Sequence, residues 1–369
     1  MFWNCRRVFV TGHTGFKGGW LALWLAHLGA EVCGVALEPA TRPNLFEEAR
    51  VAQGMQSGIA DIRDLERMKS MVRQHRPEVV FHLAAQPLVR DSYDDPIGTY
   101  TTNVIGTANL LEAVRGCDSV RAVVVITTDK CYENNEWVWP YRENDRLGGH
   151  DPYSNSKACA ELMVSAFRDS FFPPAQYAEH GVAVASARAG NVIGGGDWAK
   201  DRLIPDIIRA FATAQPLRVR SPNAVRPWQH VLEPLSGYLK LAERLYESGP
   251  SYGGAWNFGP EHSDARPVEW IVQHLAANWG SEARWEVDAG PHPHEAQMLK
   301  LDWSKAAHGL GWHPTLSLEE ALRFTADWYR RCAAGDDMRR FTIQQILRFE
   351  ELSNSVGQPP VPATSNPSL

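Results

Sequence analysis

Val8-Phe9-Val10-Thr11-Gly12-His13-Thr14-Gly15-Phe16-Lys17-Gly18 runs a stretch of β-formers into a turn with three glycines, and a helical pattern follows from Gly15 to Leu28. Each glycine has a physical reason. Gly12 permits the tight turn, Gly15 lets the backbone approach a pyrophosphate, and Gly18 allows the helix to pack closely on the strand, with the helix N-terminus facing the phosphates. The spacing is G-x-x-G-x-x-G rather than G-x-G-x-x-G. Further strands are predicted at Glu31–Leu37, Met55–Ala60, Glu78–Leu83, Ala122–Thr127 and Val182–Ala187, with helices at Leu65–Gln74, Tyr100–Arg115 and Pro152–Phe171. Repeated strand-helix-strand units imply an α/β fold, a Rossmann-type doubly wound parallel sheet with helices on both faces. A glycine turn after the first strand of such a unit points to a dinucleotide.

Beyond Ala189 the alternation decays, and nine of the fourteen tryptophans lie there. The division expected is a dinucleotide-binding domain over 1–188, joined again by strand and helix from about 231–258, and a smaller substrate-binding lobe over 189–352. Residues 353–369 contain four prolines and no periodicity, which reads as a disordered tail.

Lys and Arg number 37 against 43 Asp and Glu, a net charge of −6, and no basic run exceeds a pair. Nucleic acid and anionic membrane surfaces are thereby disfavoured as partners. The six cysteines, Cys5, Cys33, Cys117, Cys131, Cys159 and Cys332, form no C-x-x-C pair, so neither a disulfide framework nor a zinc site is indicated, and a reducing cytoplasm is the expected setting. The longest early apolar run, Trp20 to Ala26, is too short for a membrane helix. Arg6-Arg7 followed by Val8, Phe9 and Val10 could open a signal peptide, but Thr11-Gly12-His13 interrupts it.

Several residues are placed for chemistry. Glu38, ending the second strand, stands where an acidic residue can hold the adenosine ribose, a solvated carboxylate being the plain alternative. Asp61 and Ile62, after the third strand, are candidates for the adenine edge. Tyr153 and Lys157 lie four apart at the start of a helix and share a face. An ammonium near a phenol favours the phenolate, so the tyrosine can serve as a base. Thr127-Thr128-Asp129-Lys130 falls at the C-terminal end of a strand, where open α/β sheets bind ligands. Thr128, Tyr153 and Lys157 together make a hydride-transfer site. His82 and the Trp20/Trp24 pair are most simply core.

With its glycine turn and Y-x-x-x-K, the chain resembles the extended short-chain dehydrogenase/reductases of the NAD-dependent epimerase/dehydratase type, and within them the CDP-glucose 4,6-dehydratases. The narrower resemblance rests on Thr11–Gly18, His82-Leu83-Ala84-Ala85-Gln86-Pro87-Leu88-Val89-Arg90, Thr127–Asn134, Arg188–Trp198 and Arg226-Pro227-Trp228-Gln229-His230-Val231. It implies NAD as cofactor, with His13, Phe16, Lys17, Leu83, Ala84 and Ala85 joining the three glycines around it, and Gln86 beside the substrate. It also implies a redox-neutral elimination. The C4 hydride of the sugar is removed as Tyr153 takes the hydroxyl proton, C5–H is acidified, water leaves from C6, and the hydride returns to C6. The product is a deoxysugar precursor of the sort used in surface polysaccharide such as O-antigen.

Chemistry assigns Asp129 as the acid for the departing C6 hydroxyl, and Lys130, when uncharged, as a base for C5. The dTDP-glucose branch has glutamate where Lys130 stands, so the C5 base stays open; a structural ion pair is the alternative for Asp129 and Lys130. Asn191 and Gly194-Gly195-Gly196 can offer amides to a sugar diphosphate. Arg202, beside Leu203, and Arg226 can hold phosphate, Trp228 can stack, and His230 is adjacent. His292-Pro293-His294 lacks a third ligand, so no metal is expected, and His294 is kept as a substrate candidate. The helices from Tyr100 and Pro152 resemble those that pair family members, which implies a homodimer or homotetramer. A nucleotide-sugar 4-epimerase needs only Tyr153 and Lys157, a dehydratase for another nucleoside-diphosphate glucose needs the same residues, and a cofactor-sensing regulator would need neither.

Overall fold

The computed structural model describes residues 2–279, 283–288, 290 and 298–356. Strands β1 (Arg7–Thr11), β2 (Glu31–Ala36), β3 (Gln56–Ile59), β4 (Val79–His82), β5 (Ala122–Ile126), β6 (Ala183–Arg188) and β7 (Gly254–Asn257) form one parallel sheet. Its order, β7-β6-β5-β4-β1-β2-β3, reverses direction between β1 and β4. This is the doubly wound arrangement, and its switch point opens a crevice at the strand C-termini. Strands β2 to β6 match the expected ones within one residue at each end.

Alternation within the strands builds two apolar layers. Val8 and Val10 of β1 face one and Phe9 the other, which is why the inner strands read as unbroken apolar runs. Helix α1 (Phe16–His27) sends Trp20 and Trp24 into the first layer. Helices α2 (Leu65–His75) and α3 (Gly106–Arg115) bring Met68, Val72, Leu110 and Leu111 to the second, where Val164 of α4 (Pro152–Phe171) also packs. The helix expected from Tyr100 starts earlier, because Pro96 sits at its first turn and Asp95 accepts from the Gly98 amide at 2.8 Å; one wide turn at Thr101–Ile105 then passes into α3.

After β6 come α5 (Leu203–Ala212) and α6 (Leu232–Ser248), then β7, which pairs with β6. Helices α7 (Val268–Trp279), α8 (Leu318–Ala333) and α9 (Met338–Val356) follow. Their packing is continuous with the sheet: Ile204, Trp228, Trp312 and Trp328 share the apolar layer of Val8 and Trp20. Residues 353–356, expected in the tail, instead complete α9; the rest of that stretch lies outside the described residues.

One close approach locks α8 to the loop after β6. Trp20 Nε1 donates to the Gly195 carbonyl at 2.9 Å, and a β-carbon on Gly195 would stand 1.9 Å from Cγ of Trp328. Trp328 cannot step aside without losing its own bond to Thr342 Oγ1 at 2.9 Å. Gly195→Ala should therefore lower stability by about 1–3 kcal/mol through overpacking. The check is a reduced denaturant midpoint with an unchanged slope.

Candidate active site

A cavity of about 1710 Å³ opens at the strand C-termini. Its walls include Gly12, Gly15, Phe16, Lys17, Gly18, Glu38, Asp61, Ile62, Leu83, Ala84 and Ala85, together with Thr128, Asp129, Lys130, Tyr153 and Lys157, and Asn191, Arg202, Leu203, Arg226 and Trp228. Segments far apart in sequence thus converge on one space.

The glycine turn has the shape its spacing predicts. Gly12 has φ +81°, and its β-carbon would lie 2.7 Å from the Ala84 amide nitrogen; that of Gly18 would lie 2.0 Å from the Gly12 carbonyl oxygen. Gly15 differs, because its β-carbon would meet only the Gly12 oxygen, at 3.4 Å, and it begins α1 with no side chain capping the helix. The first amides of α1 are therefore open to an anion, and the cradle fits a dinucleotide pyrophosphate. Asp61 is half-buried and paired with Arg63 at 2.6 Å, while Glu38 is exposed at the cavity wall.

His13 departs from the expectation. It is buried beneath the turn with Nε2 2.7 Å from Ser57 Oγ of β3, and it is not part of the cavity wall. Burial holds its ring at about 4, so it is a neutral spacer under the loop.

Helix α4 presents Tyr153 and Lys157, both buried. Pro152 occupies its first turn, and Asp151 caps it by accepting from the Ser154 amide at 2.9 Å. Burial pushes the Tyr153 phenol up to about 12, opposed by Thr128 and by the charge of Arg202. Burial also pulls the Lys157 ammonium down to about 8, with Glu161 resisting. Thr128 Oγ1 donates to Asp129 Oδ1 at 2.9 Å, and Asn191 Nδ2 reaches Asp129 Oδ2 at 3.5 Å. Lys130 is half-buried; its amide donates to Thr128 Oγ1 at 3.4 Å, and its side chain has no hydrogen-bond or ion-pair partner among the described residues. Lys17, read with the cofactor, lies in the same field as Asp129: burial brings its ammonium down to about 7, Arg202 and Lys157 lower it too, and Asp129 raises it.

Arg202 Nη1 is paired with Asp197 at 2.8 Å, and Trp228 Nε1 donates to the Arg266 carbonyl at 3.2 Å. Two substrate candidates are corrected. His230 is fully buried between Trp20 and Phe324, with ring centroids 5.9 and 5.5 Å away, and burial holds it at about 3; the strand pairing of Gln229–His230 with Val192–Ile193 turns it into the core. Gln86 is not part of the cavity wall, and its side chain is taken up by protein partners, donating to the Leu88 carbonyl at 3.0 Å and to Thr99 Oγ1 of the helix Pro96–Tyr100 at 2.8 Å. His292 and His294 lie outside the described residues, and among those described no three-ligand metal cluster occurs. His82 is core, bonded to Thr11 Oγ1 at 2.7 Å and Thr107 Oγ1 at 2.9 Å.

Two residues were missed. A β-carbon on Gly190 would fall 1.8 Å from Asp129 Oδ2, so the Asp129 carboxylate sits where only glycine leaves room. Glu161, one helical turn after Lys157, is buried and bonded to Thr127, to Ser186 Oγ at 2.7 Å and to Arg188 Nη2 at 2.8 Å. The extension of Y-x-x-x-K by x-x-x-E on the same face was the available signal.

Comparison with known proteins agrees with this architecture. A protein of Salmonella typhimurium named CDP-glucose 4,6-dehydratase is 58% identical over 348 residues, which are 94% of this chain and 97% of that one. A dTDP-glucose 4,6-dehydratase of Xanthomonas campestris is 27% identical over 343 residues, 87% of this chain and 92% of its own. Among solved structures, UDP-glucose 4-epimerase of Thermus thermophilus in complex with NAD aligns with a TM-score of 0.75 at 25% identity, covering 88% of this chain and 99% of that one. The family model described as GDP-mannose 4,6 dehydratase matches residues 9–325, and the chain belongs to that family.

Proposed function

We propose that the chain converts CDP-glucose to CDP-4-keto-6-deoxyglucose and water, as a hydro-lyase that uses NAD. The observation that carries this reading is the convergence of Asp129 and Lys130 with Tyr153 and Lys157 in one cavity. Oxidation at C4 needs only the tyrosine and lysine, whereas removal of the C6 hydroxyl also needs an acid and a base. The 58% identity to a protein named for this reaction supports it.

NAD+ would lie along the glycine turn and supply a hydride acceptor for C4 that can give the hydride back at C6. Tyr153 takes the C4 hydroxyl proton, with Thr128 beside the phenol and Arg202 and Lys157 providing positive charge. The C4 ketone acidifies C5–H, and Lys130 takes that proton. Asp129, held by Thr128 and Asn191, protonates the C6 hydroxyl as the C6–O bond breaks and water departs. The C5 proton then returns from Lys130, the proton taken by Tyr153 passes through solvent to restore Asp129, and the balance is substrate minus one water.

The six cysteines are all free thiols, which supports a cytoplasmic setting, and among the described residues no helix is long and apolar enough to cross a membrane. Pairing into a homodimer is supported by Ile97, Ile105, Leu162 and Phe171, large apolar side chains exposed along the neighbouring helices Pro96–Arg115 and α4.

Three measurements test the chemistry. Asp129→Asn keeps the size and most hydrogen bonds but removes the C6 acid, so C4 oxidation continues while elimination slows by a factor on the order of 100. Reduced cofactor should then accumulate, visible in its near-ultraviolet absorbance; loss of both steps would make Asp129 an organiser.

The second is the pH profile. Lys157 carries its charge below about 8 and loses it above, so turnover should decline on an alkaline limb near that pH. Glu161 favours the ammonium, so Glu161→Gln should shift the limb to lower pH by about one unit. An unmoved limb would detach Lys157 from it.

Third, CDP-glucose carrying deuterium at C4 should give product carrying it at C6, and in heavy water C5 should gain solvent deuterium. A product still oxygenated at C6, with C4 inverted, would instead establish a 4-epimerase.

A further inference from the structure

Arg90 lies in the short helix Val89–Asp94 and Arg220 directly follows the short strand Leu217–Val219, both on the cavity wall. They are far apart in sequence, yet both reach the same atom. Arg90 Nη1 lies 3.1 Å and Arg220 Nη1 3.6 Å from Oδ1 of Asp201. Two guanidiniums repel one another, so their approach is sustained only by an anion between them, and here that anion is a side chain of the protein itself. All three residues line the cavity. A carboxylate oxygen and a phosphate oxygen accept the same charge-assisted N–H bonds.

We propose that Arg90 and Arg220 form an anion subsite for a phosphate of the nucleotide sugar, and that Asp201 is its internal competitor, releasing both guanidiniums when the phosphate arrives. The identity of the ligand rests on the function proposed above.

Three observations make Asp201 exchangeable. The side chains of Arg90, Asp201 and Arg220 are 43%, 33% and 21% exposed, and ion pairs open to water to this degree hold weakly. Asp201 has φ +59°, in the left-handed region that a side chain with a β-carbon occupies reluctantly, so its contacts hold it there. Its segment also carries a second carboxylate facing a cavity arginine, Asp197 against Arg202 at 2.8 Å, while Lys200 meets Asp91 at 3.0 Å. Residues 197–201 therefore bridge the two walls through charge pairs, and an incoming diphosphate can replace the Asp201 pairs without leaving a guanidinium unpaired.

The experiment is calorimetric binding of CDP, together with KM for CDP-glucose, in the full-length chain loaded with NAD. Asp201→Asn keeps the side-chain volume and removes the competing charge, so CDP affinity should rise and KM fall by roughly 3- to 10-fold. Arg90→Gln and Arg220→Gln should each weaken CDP by about tenfold. In the Arg90→Gln/Arg220→Gln background, Asp201→Asn should give no gain, a non-additivity that a merely structural Asp201 would not produce. Asp118→Asn, in the exposed surface pair with Arg76, controls for net charge and should leave CDP affinity as it is. Unchanged or weaker CDP binding in Asp201→Asn overturns the proposal, and so does unaltered binding in both arginine variants. If an arginine variant fails to fold, the Asp201→Asn result decides alone. Should the wild-type protein bind CDP as described yet leave CDP-glucose unconverted, the proposed function fails and the subsite stands; conversion with no gain in Asp201→Asn has the opposite meaning.

Discussion

The Glu161 carboxylate and the Arg188 guanidinium meet at 2.8 Å with each side chain 3% exposed, and from this pair bonds run to the strand end before Asp129, to β6 and toward β7. Glu161 belongs to the helix of Tyr153 and Lys157 and accepts from Thr127, which precedes Thr128 and Asp129, and from Ser186 on β6. Arg188 donates to Tyr132 Oη at 2.7 Å and to the Glu143 carbonyl at 3.0 Å. Tyr132 in turn donates to Asn257 Oδ1 at the end of β7 at 2.8 Å, and Asn257 donates to the Tyr141 carbonyl at 2.9 Å. Taking two charges out of water is unfavourable in itself, and removing one partner of a buried pair typically costs about 3–5 kcal/mol. The pair's consequence is geometric: the loop of Asp129 and the helix of Tyr153 and Lys157 are fixed to the same two charges.

Burial acts on Tyr153 and Lys157 in opposite directions, because each is penalised in its charged form. Burial alone would leave the phenol, at about 12, protonated at neutral pH, so a role as base needs added positive charge such as an oxidised nicotinamide would bring, and the lysine, at about 8, still holds most of its charge. Glu161 makes the second fact possible, since without its carboxylate a lysine buried this deeply would drop further. Arg202 contributes the complementary effect on the phenol, and Asp197 keeps that arginine in place. The site is therefore poised by charges outside the reacting groups.

Local patterns carried the sheet and the centre of the site. The strands of the first half other than β3 are buried on both faces, and the glycine and Y-x-x-x-K spacings each report a constraint met within a few residues, so Gly12, Gly18, Tyr153 and Lys157 could be placed from the sequence. What depended on distant pairing could not. His230 looked like a ligand beside Arg226 and Trp228, but its facing direction is set by the pairing of Gln229–His230 with Val192–Ile193. Gln86 and His13 stood inside recognisable motifs, and their partners, Thr99 and Ser57, come from other segments. Gly190 went unread for the same reason, since a close contact with Asp129 leaves no local periodicity; Glu161 continues the face of Tyr153 and Lys157, but its charge partner Arg188 comes from β6.

The loop that follows β6 shows how one segment can serve both chemistry and recognition. Gly190 leaves room for Asp129, and Asn191, at φ +47°, reaches the same carboxylate. Gly195 is pressed against Trp328, which ties the loop to α8, and Gly196, at φ +84°, turns the chain back toward the cavity. Asp197 then holds Arg202 while its carbonyl accepts from the Tyr329 hydroxyl. Because Trp328 and Tyr329 are adjacent on α8, the same helix positions both ends of this stretch. Movement of α8 would displace the loop that carries the partners of Asp129 and Arg202, so these two side chains are coupled through packing rather than through contact with each other.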